Sequence, residues 1–313
     1  MNNSLFVFVI SFNEEELLTT IESAYSNASE PEKLFFGIYE QRTDDDFVDL
    51  TSYKNIKKVE CKYEFPRGTG IARLNAFMLN NNEDYCMYVD SHTLFDPGWD
   101  VELKNQFKEL KNYYEKPFIS HNIDYWYRDN DGNIVQCYTF NPTILLPISV
   151  VRGSSIHFEM YSEGFPDEIK FKEYFLCSGQ FAFGEMQAFR ECLPDPRIFF
   201  YGEEQLLAIR LSTRGWRIFS SNTNVLHHAG VTEENMQEIH SNNLHWRAIV
   251  RGKDYHDAFI NSDLEFFTKP LAGVTYDILS GKELGYWGAP DQNSYEEYIN
   301  KLGFDYRSLN EIE

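Results

Sequence analysis

A carboxylate and an imidazole stand two residues apart at Asp90 and His92. The apolar run 85–89 before them has the length of a buried strand, and alternate residues of an extended chain face the same side. A carboxylate oxygen with an imidazole nitrogen suits Mn²⁺ better than Ca²⁺, and open α/β sheets bind ligands at the carboxyl ends of their strands. The pair therefore indicates a metal-diphosphate site; the alternative is a strand end with a turn-forming Asp and a surface His.

A third metal ligand is offered by the neighbouring residues His227 and His228, far along the chain. They follow Val225–Leu226, which predicts a short strand. A distal histidine pair is more often structural, but Asp90 and His92 need a further partner to hold a cation. One of the two histidines is thus a candidate ligand.

Arg73 follows the glycine-containing turn Gly68–Gly70 between a predicted strand and a predicted helix. The pattern resembles half of a dinucleotide fingerprint, but Arg73 stands where the third glycine belongs, so a dehydrogenase is a weak interpretation. A positively charged side chain in the first turn of a helix is repelled by the positive end of the helix dipole. We therefore interpret Arg73 as the partner of an external phosphate, with a plain surface arginine as the alternative.

Two acids, Glu203 and Glu204, begin a predicted helix that ends at Gly215. Carboxylates in a first helical turn commonly stabilise the helix dipole, which is the simplest explanation for both. The run Asp44–Asp46 also suggests metal binding, but no strand leads directly into it. We interpret it as a solvated loop.

The elements that must position these residues follow an α/β pattern. A buried strand is predicted at Leu5–Ile10, then a helix over Glu14–Asn27 with Asn13 as its N-cap, then a strand at Leu34–Tyr39. The ligand edge of such a sheet lies where these strands end, at Ser11–Phe12 and at Glu40–Gln41.

Later segments turn the predicted parallel sheet into a mixed one. A third strand is expected within 57–65, and Asp129–Asn133 predicts the turn of a hairpin. Residues 141–170 contain several prolines and glycines and are predicted to be irregular, as long functional loops often are.

The charge and cysteine content of the chain limit its possible binding partners and its cellular setting. The chain has 313 residues and a formal net charge of −21, which repels nucleic acid and anionic membranes, so a phosphate-bearing ligand needs a metal or positioned arginines. Five scattered cysteines without a C-x-x-C pair favour reduced thiols and a cytoplasmic setting. The N-terminal apolar run is too short for a signal peptide or a membrane span.

The C-terminal stretch 281–303 is predicted to be a lid. Its glycines and Pro290 offer hinges, while Tyr286 and Trp287 provide flat apolar faces that could cover a bound sugar. The alternative is that the two aromatic residues anchor this stretch on the core. We expect a catalytic domain over 1–250 and a C-terminal extension over 251–313 that packs on it.

These motifs resemble those of nucleotide-diphospho-sugar transferases with the GT-A fold, a Rossmann-like mixed sheet flanked by helices. Within them the chain is most similar to glycosyltransferase family 60, the group of the cytoplasmic hydroxyproline N-acetylglucosaminyltransferase. The resembling segments cover nearly the whole chain: 10–12, 37–41, 70–73, 88–92, 97–100, 201–204, 210–216, 225–227, 285–288, 294–298 and 303–305.

The resemblance implies a retaining, metal-dependent transfer of a GlcNAc-like sugar from a UDP-sugar to an acceptor hydroxyl, hydroxyproline in that family. It assigns Mn²⁺ or Mg²⁺ to Asp90, His92 and His227. The resemblance also implies that residues at the ligand edge bind the base and ribose of the donor. The two acids that begin the predicted helix, Glu203 and Glu204, would lie nearest the reacting centre. We therefore expect the donor to be bound by Ser11, Phe12, Gln41, Arg73, Asp90 and Ser91, together with Tyr286 and Trp287 of the predicted lid. We expect the catalytic residues to be Arg73, Glu203 and Glu204.

Two alternatives stay open. The same chemistry could serve another acceptor, such as a glycan, a small molecule or a hydroxymethylated viral DNA base. A catalytically silent sugar-binding module could use the same fold, although it would not need Asp90, His92 and Arg73 together. Arg67 precedes the turn where the family usually has Gly-Pro, and this difference could shift donor or acceptor preference.

Overall fold

The computed structural model describes residues 3–62, 67–129, 131–138, 142–152, 156–198, 202–230 and 274–308. Its strands are β1 Leu5–Phe12, β2 Leu34–Arg42, β3 Ile56–Lys62, β4 Tyr85–Asp90, β5 Thr93–Phe95, β6 Pro117–Ile119, β7 Asp124–Arg128, β8 Ile134–Gln136, β9 Thr143–Arg152, β10 Ile156–Gly164, β11 Phe171–Tyr174, β12 Phe181–Glu185, β13 Arg217–Ser221 and β14 Leu226–Ala229. The helices with named bounds are α1 Leu17–Ser26, α2 Thr69–Phe77, α3 Trp99–Lys111, α4 Met186–Glu191, α5 Glu203–Thr213 and α6 Gln292–Leu302.

The main sheet of the described residues has eight strands in the order β11-β13-β6-β12-β4-β1-β2-β3. The last four in this order, β4 to β3, are mutually parallel, whereas β12 is antiparallel to both β4 and β6. β1 lies between β4 and β2 and is buried on both faces, as its uninterrupted apolar sequence predicts. The predicted mixed α/β sheet is therefore confirmed.

The core lies on both sides of this sheet because alternate residues of β1 enter different clusters. Phe6 and Phe8 pack with Phe77 of α2 and Tyr88 of β4. Val7 and its neighbours on the opposite face pack with α1 and α3. Helices on both faces thus fix the carboxyl ends of the parallel strands at one edge.

A second sheet of four strands, ordered β5-β14-β7-β8, lies beside that edge. β7 and β8 form the predicted antiparallel hairpin. β14 lies between β5 and β7 and is antiparallel to the former and parallel to the latter. This sheet brings residues near 228 against the segment that follows β4.

The structure corrects the predicted start of the first helix. α1 begins at Leu17 with Glu16 as its N-cap, and Asn13 is not the cap. Asn13 has φ +48° and its side-chain oxygen accepts a hydrogen bond from the backbone N–H of Thr43 at 2.9 Å. Asparagine tolerates this left-handed conformation because its side chain bonds nearby backbone, so Glu14 and Glu15 form a loop.

The prediction of an irregular segment over 141–170 is also wrong. β9 and β10 pair as an antiparallel ribbon with a register shift between Glu159 and Met160. Prolines and glycines suggested a loop, but the segment 143–152 is rich in Ile, Leu and Val, which favour strands.

Gly70 brings α2 close to the chain before α5. A Cβ at this position would lie 2.1 Å from the carbonyl oxygen of Asp195, and the Gly70 N–H donates to the carbonyl of Ile198 at 3.0 Å. The G-x-G pattern is thus explained by backbone contact, which sets the position of Arg73 one turn later.

The described C-terminal residues pack on α5. A helical segment over 274–279 and α6 form an apolar cluster with Leu206 and Ile209 of α5, and the Tyr298 hydroxyl donates to the carbonyl of Phe175 at 2.9 Å. The predicted domain boundary near residue 250 lies outside the described residues and stays a prediction. In the described parts of the chain, no helix combines the length and apolar character that crossing a bilayer requires.

Candidate functional site

Asp90, His92 and His228 converge at the carboxyl end of the central strand β4. One ligand atom from each residue lies within 4.8 Å of the other two. Nε2 of His228 lies 2.8 Å from Nε2 of His92 and 3.1 Å from Oδ2 of Asp90. One carboxylate and two imidazoles are the donor set that Mn²⁺-like and other transition-metal cations accept.

The assignment of His227 to this cluster needs correction, because His228 takes that place. β14 pairs with β5 so that His228 lies opposite Thr93, next to His92. Successive residues of a strand face opposite sides. The fully buried side chain of His227 therefore lies on the other face, where its Nε2 is 3.0 Å from Oδ1 of Asp96.

Glu14 is a member of the site that the sequence analysis did not identify. Its Oε2 lies 2.8 Å from Nδ1 of His92. Burial opposes the charge of both side chains, but their mutual hydrogen bond and attraction outweigh it, so the pKa of His92 is raised and that of Glu14 is lowered. The available signal was the run of three acids that begins one residue after the end of β1, at the ligand edge.

Arg73 lies behind the cluster and is buried. Its Nε is 3.0 Å from Oε1 of Glu203, and one terminal nitrogen is 3.6 Å from Oδ1 of Asp90 and donates to the Gly179 carbonyl at 3.0 Å. Its guanidinium also stacks 4.1 Å from the centre of the Tyr88 ring. Arg73 is the fifth residue of α2, so the prediction that it lies in the first turn is wrong. Its positive charge is balanced by Glu203 and Asp90.

Glu203 and Glu204 begin α5 after Gly202, whose φ of +94° turns the chain into the helix. Burial raises the pKa of Glu203 to about 7 although Arg73 lowers it, and burial also raises the pKa of Glu204. A cavity of about 30 Å³ beside Arg73 and the two acids has room for about one water molecule. Three carboxyl groups, those of Asp90, Glu203 and Glu204, thus surround the Arg73 guanidinium, and a bound cation would favour their ionised forms.

The remaining ligand-edge residues lie where the parallel strands end. Ser11 and Phe12 of β1 are in register with Glu40 and Gln41 of β2. The Ser11 hydroxyl is buried and has no hydrogen-bond partner within the described ranges. Side chains near the end of β2 are already engaged: Gln41 accepts from the Arg67 N–H, and Glu40 accepts from Val48 and pairs with Lys58. Ser91 is buried between Asp90 and His92, and its carbonyl accepts from Thr20.

Tyr286 and Trp287 lie at the other end of α5 from the two acids. The guanidinium of Arg214, just after α5, donates to backbone carbonyls on both sides of Trp287, and those of Arg197 and Arg210 lie 5.5 and 5.9 Å from the centre of its ring. Tyr286 is 47% exposed. No described contact joins either aromatic side chain to the Asp90 cluster.

Comparison with known proteins identifies the fold. The crystal structure of GalNAc-T7 with UDP, GalNAc and Mn²⁺ aligns at a TM-score of 0.52 and 11% identity over 96% of this chain and 55% of that one. The crystal structure of S. aureus TarS aligns at a TM-score of 0.45 and 11% identity, over 77% of this chain and 40% of that one. The structure of S. aureus TarS 1–349 in complex with UDP aligns at a TM-score of 0.43 and 12% identity, over 75% of this chain and 63% of that one. The chain thus spans about half the length of GalNAc-T7, and at this identity the likeness concerns the fold alone.

No curated protein matches the chain in sequence. A family model described as Glycosyltransferase (GlcNAc) matches residues 4–53 and 47–253, well over half of the 313 residues. The matched residues include β4, α5 and β14, which supply Asp90, Glu203 and His228, and also His92, which follows β4. The chain therefore belongs to the GlcNAc glycosyltransferase family and has the GT-A fold.

Proposed function

We propose that the enzyme transfers a GlcNAc-like sugar from a UDP-sugar to an acceptor hydroxyl, with a divalent cation, Mn²⁺ or Mg²⁺, at Asp90, His92 and His228. The observation that carries this proposal is the convergence of these three ligands at the carboxyl end of β4. The GT-A-fold neighbour GalNAc-T7, crystallised with UDP, GalNAc and Mn²⁺, supports a UDP-sugar as donor and a divalent metal.

The residues present fit such a cation. Glu14 accepts the hydrogen bond of one ring nitrogen of His92 and leaves the other directed at Asp90 and His228. Two imidazoles favour Mn²⁺ over Mg²⁺, which prefers oxygen ligands. When bound, the cation supplies Lewis-acid stabilisation for the departing diphosphate.

Arg73 and the acids of α5 perform the remaining steps. The guanidinium of Arg73 can donate charge-assisted hydrogen bonds to the diphosphate, for which the buried setting is favourable. Glu203 and Glu204, at the rim of the cavity beside Arg73, would orient the donor sugar or the acceptor hydroxyl. We propose retention of configuration and membership of glycosyltransferase family 60 on the resemblance described above.

We propose a protein hydroxyproline as the acceptor, again on that resemblance. The net charge of −21 disfavours DNA as an alternative. The five cysteines are free thiols, which suits the reducing cytoplasm that we propose as its location.

A panel of nucleotide sugars tests this function. Purified chain with Mn²⁺ is expected to hydrolyse UDP-GlcNAc slowly and in preference to UDP-glucose, UDP-GalNAc and GDP-mannose, and EDTA is expected to stop the reaction. Transfer to a hydroxyproline peptide, but not to its proline counterpart, would support the acceptor. Hydrolysis that is indifferent to EDTA would overturn the metal proposal, and binding of sugars without any turnover would favour the sugar-binding module.

A further inference from the structure

We propose that Glu14 is the positioning residue of the metal centre: it fixes His92 in the tautomer whose Nε2 is free to bind the cation. This inference rests on the proposed function. Oε2 of Glu14 lies 2.8 Å from Nδ1 of His92, and both side chains are largely buried, with 19% and 12% exposed. A carboxylate can only accept at neutral pH, so Nδ1 must carry the proton.

The contact between the two histidines makes the tautomer matter. Nε2 of His92 and Nε2 of His228 lie 2.8 Å apart, so one of them must accept from the other. Because Glu14 holds the proton of neutral His92 on Nδ1, Nε2 of His92 is the acceptor and carries the lone pair that a metal requires. Without Glu14, neutral His92 can place its proton on Nε2, where it opposes a cation.

The loop after β1 holds Glu14 in place from two directions. Asn13 is clamped by Thr43, since its side-chain amide donates to the Thr43 hydroxyl at 3.1 Å and its oxygen accepts from the Thr43 N–H. The Glu16 N–H donates to the other carboxylate oxygen of Glu14 at 3.2 Å. The left-handed turn at Asn13, with φ +48°, therefore aims Glu14 at His92.

The test measures Mn²⁺ binding, without donor, to the full chain and to Glu14→Ala, Glu14→Gln and Glu15→Gln. Carboxylates that support a metal-bound histidine typically contribute 10- to 100-fold to metal affinity, so the Kd of Glu14→Ala is expected to rise by about that factor. Glu14→Gln should lose less, because its amide oxygen still accepts from Nδ1. Glu15→Gln, which alters the exposed neighbouring acid, should leave the Kd unchanged.

Nitrogen-15 NMR of the histidine rings in metal-free protein provides the second readout. At a pH where its ring is neutral, His92 is expected as the Nδ1–H tautomer in the unchanged chain and in Glu14→Gln, and as a mixture or the Nε2–H tautomer in Glu14→Ala. A Glu14→Ala chain with unchanged tautomer and unchanged Mn²⁺ affinity overturns the role of Glu14 but leaves the metal centre standing. Failure of the unchanged chain to bind Mn²⁺ overturns the centre itself and this role with it.

Discussion

The two ends of α5 differ in their partners. At the N-terminal end, Glu203 and Glu204 lie near Asp90 and the Arg73 guanidinium. At the C-terminal end, Arg214 donates hydrogen bonds to the backbone carbonyls of Gly285, Tyr286 and Gly288. The first region gathers three carboxyl groups around the Arg73 guanidinium, and burial raises the pKa of Glu203 and Glu204, so a bound cation would favour their ionised forms. In the second region, every described hydrogen bond of the Arg214 side chain is donated to a backbone carbonyl oxygen. The difference indicates that one end of the helix is prepared for a ligand and the other holds the fold together.

The largest effect that would test this comparison is expected at the histidines of β14. His228→Ala should abolish Mn²⁺ binding and sugar transfer, since it removes one of the three converging ligands. His227→Ala should retain Mn²⁺ binding but lower the free energy of unfolding by about 1–3 kcal/mol, because it leaves Asp96 without its buried partner. Calorimetric titration with Mn²⁺ and denaturant unfolding separate the two; loss of metal by His227→Ala alone would reverse the assignment.

The next effect concerns Arg73. Arg73→Ala should weaken UDP-sugar binding by about 2–3 kcal/mol, because charge-assisted hydrogen bonds in a buried site are lost. Arg73→Lys keeps the charge without the planar fork and should recover part of the affinity. Titration calorimetry with the donor in the presence of Mn²⁺ measures both, and an unaltered donor affinity of Arg73→Ala would restrict this residue to pairing with Glu203 and Asp90.

A smaller effect is expected in the pH dependence of stability. Burial raises the pKa of Glu203 from 4.5 to about 7, so between these pH values the folded chain keeps a proton that the unfolded chain has released. The free energy of unfolding should therefore fall as the pH rises through this window, by at most about 1.4 kcal/mol per pH unit. Urea unfolding in EDTA measures the slope, and Glu203→Gln should remove this contribution, whereas Glu15→Gln should not.

The smallest effect on the reaction is expected at the C-terminal end of α5. If Tyr286 and Trp287 anchor the chain there, replacing both with Ala should lower the melting temperature and leave the ratio of donor hydrolysis to transfer unchanged. Arg214→Met, which removes the bonds to the same loop, should act alike. A raised hydrolysis ratio at an unchanged melting temperature would instead support the lid that the sequence predicts.

The sequence was sufficient to predict the parts of the fold that local patterns specify. Uninterrupted apolar runs predicted β1, β2 and β4, and the ends of α5 follow from Gly202 and from Gly215 with its φ of +84°. Asp90 and His92 were found because their spacing at a strand end is a local property. The same patterns failed at β9 and β10, where proline and glycine outweighed the β-branched residues in the prediction.

The parts of the site that depend on long-range register could not be predicted in the same way. The choice between His227 and His228 depends on which of them lies opposite Thr93, and a shift of one residue in that pairing would exchange their faces. Glu14 depends on the backbone conformation of Asn13, which the capping pattern predicted differently. The partner of Arg73, Glu203, comes from a helix 130 residues later.

The position of β14 between β5 and β7 has a consequence for folding. Asp90 and His228 are 138 residues apart in sequence, so their contact cannot form until the chain has closed a long loop and the small sheet has paired. A cation that needs both residues would bind the closed chain and not the open one. At a free concentration of 100 times its Kd it would therefore add about 2.7 kcal/mol to the free energy of unfolding, so that the thermal midpoint itself becomes a measure of metal supply.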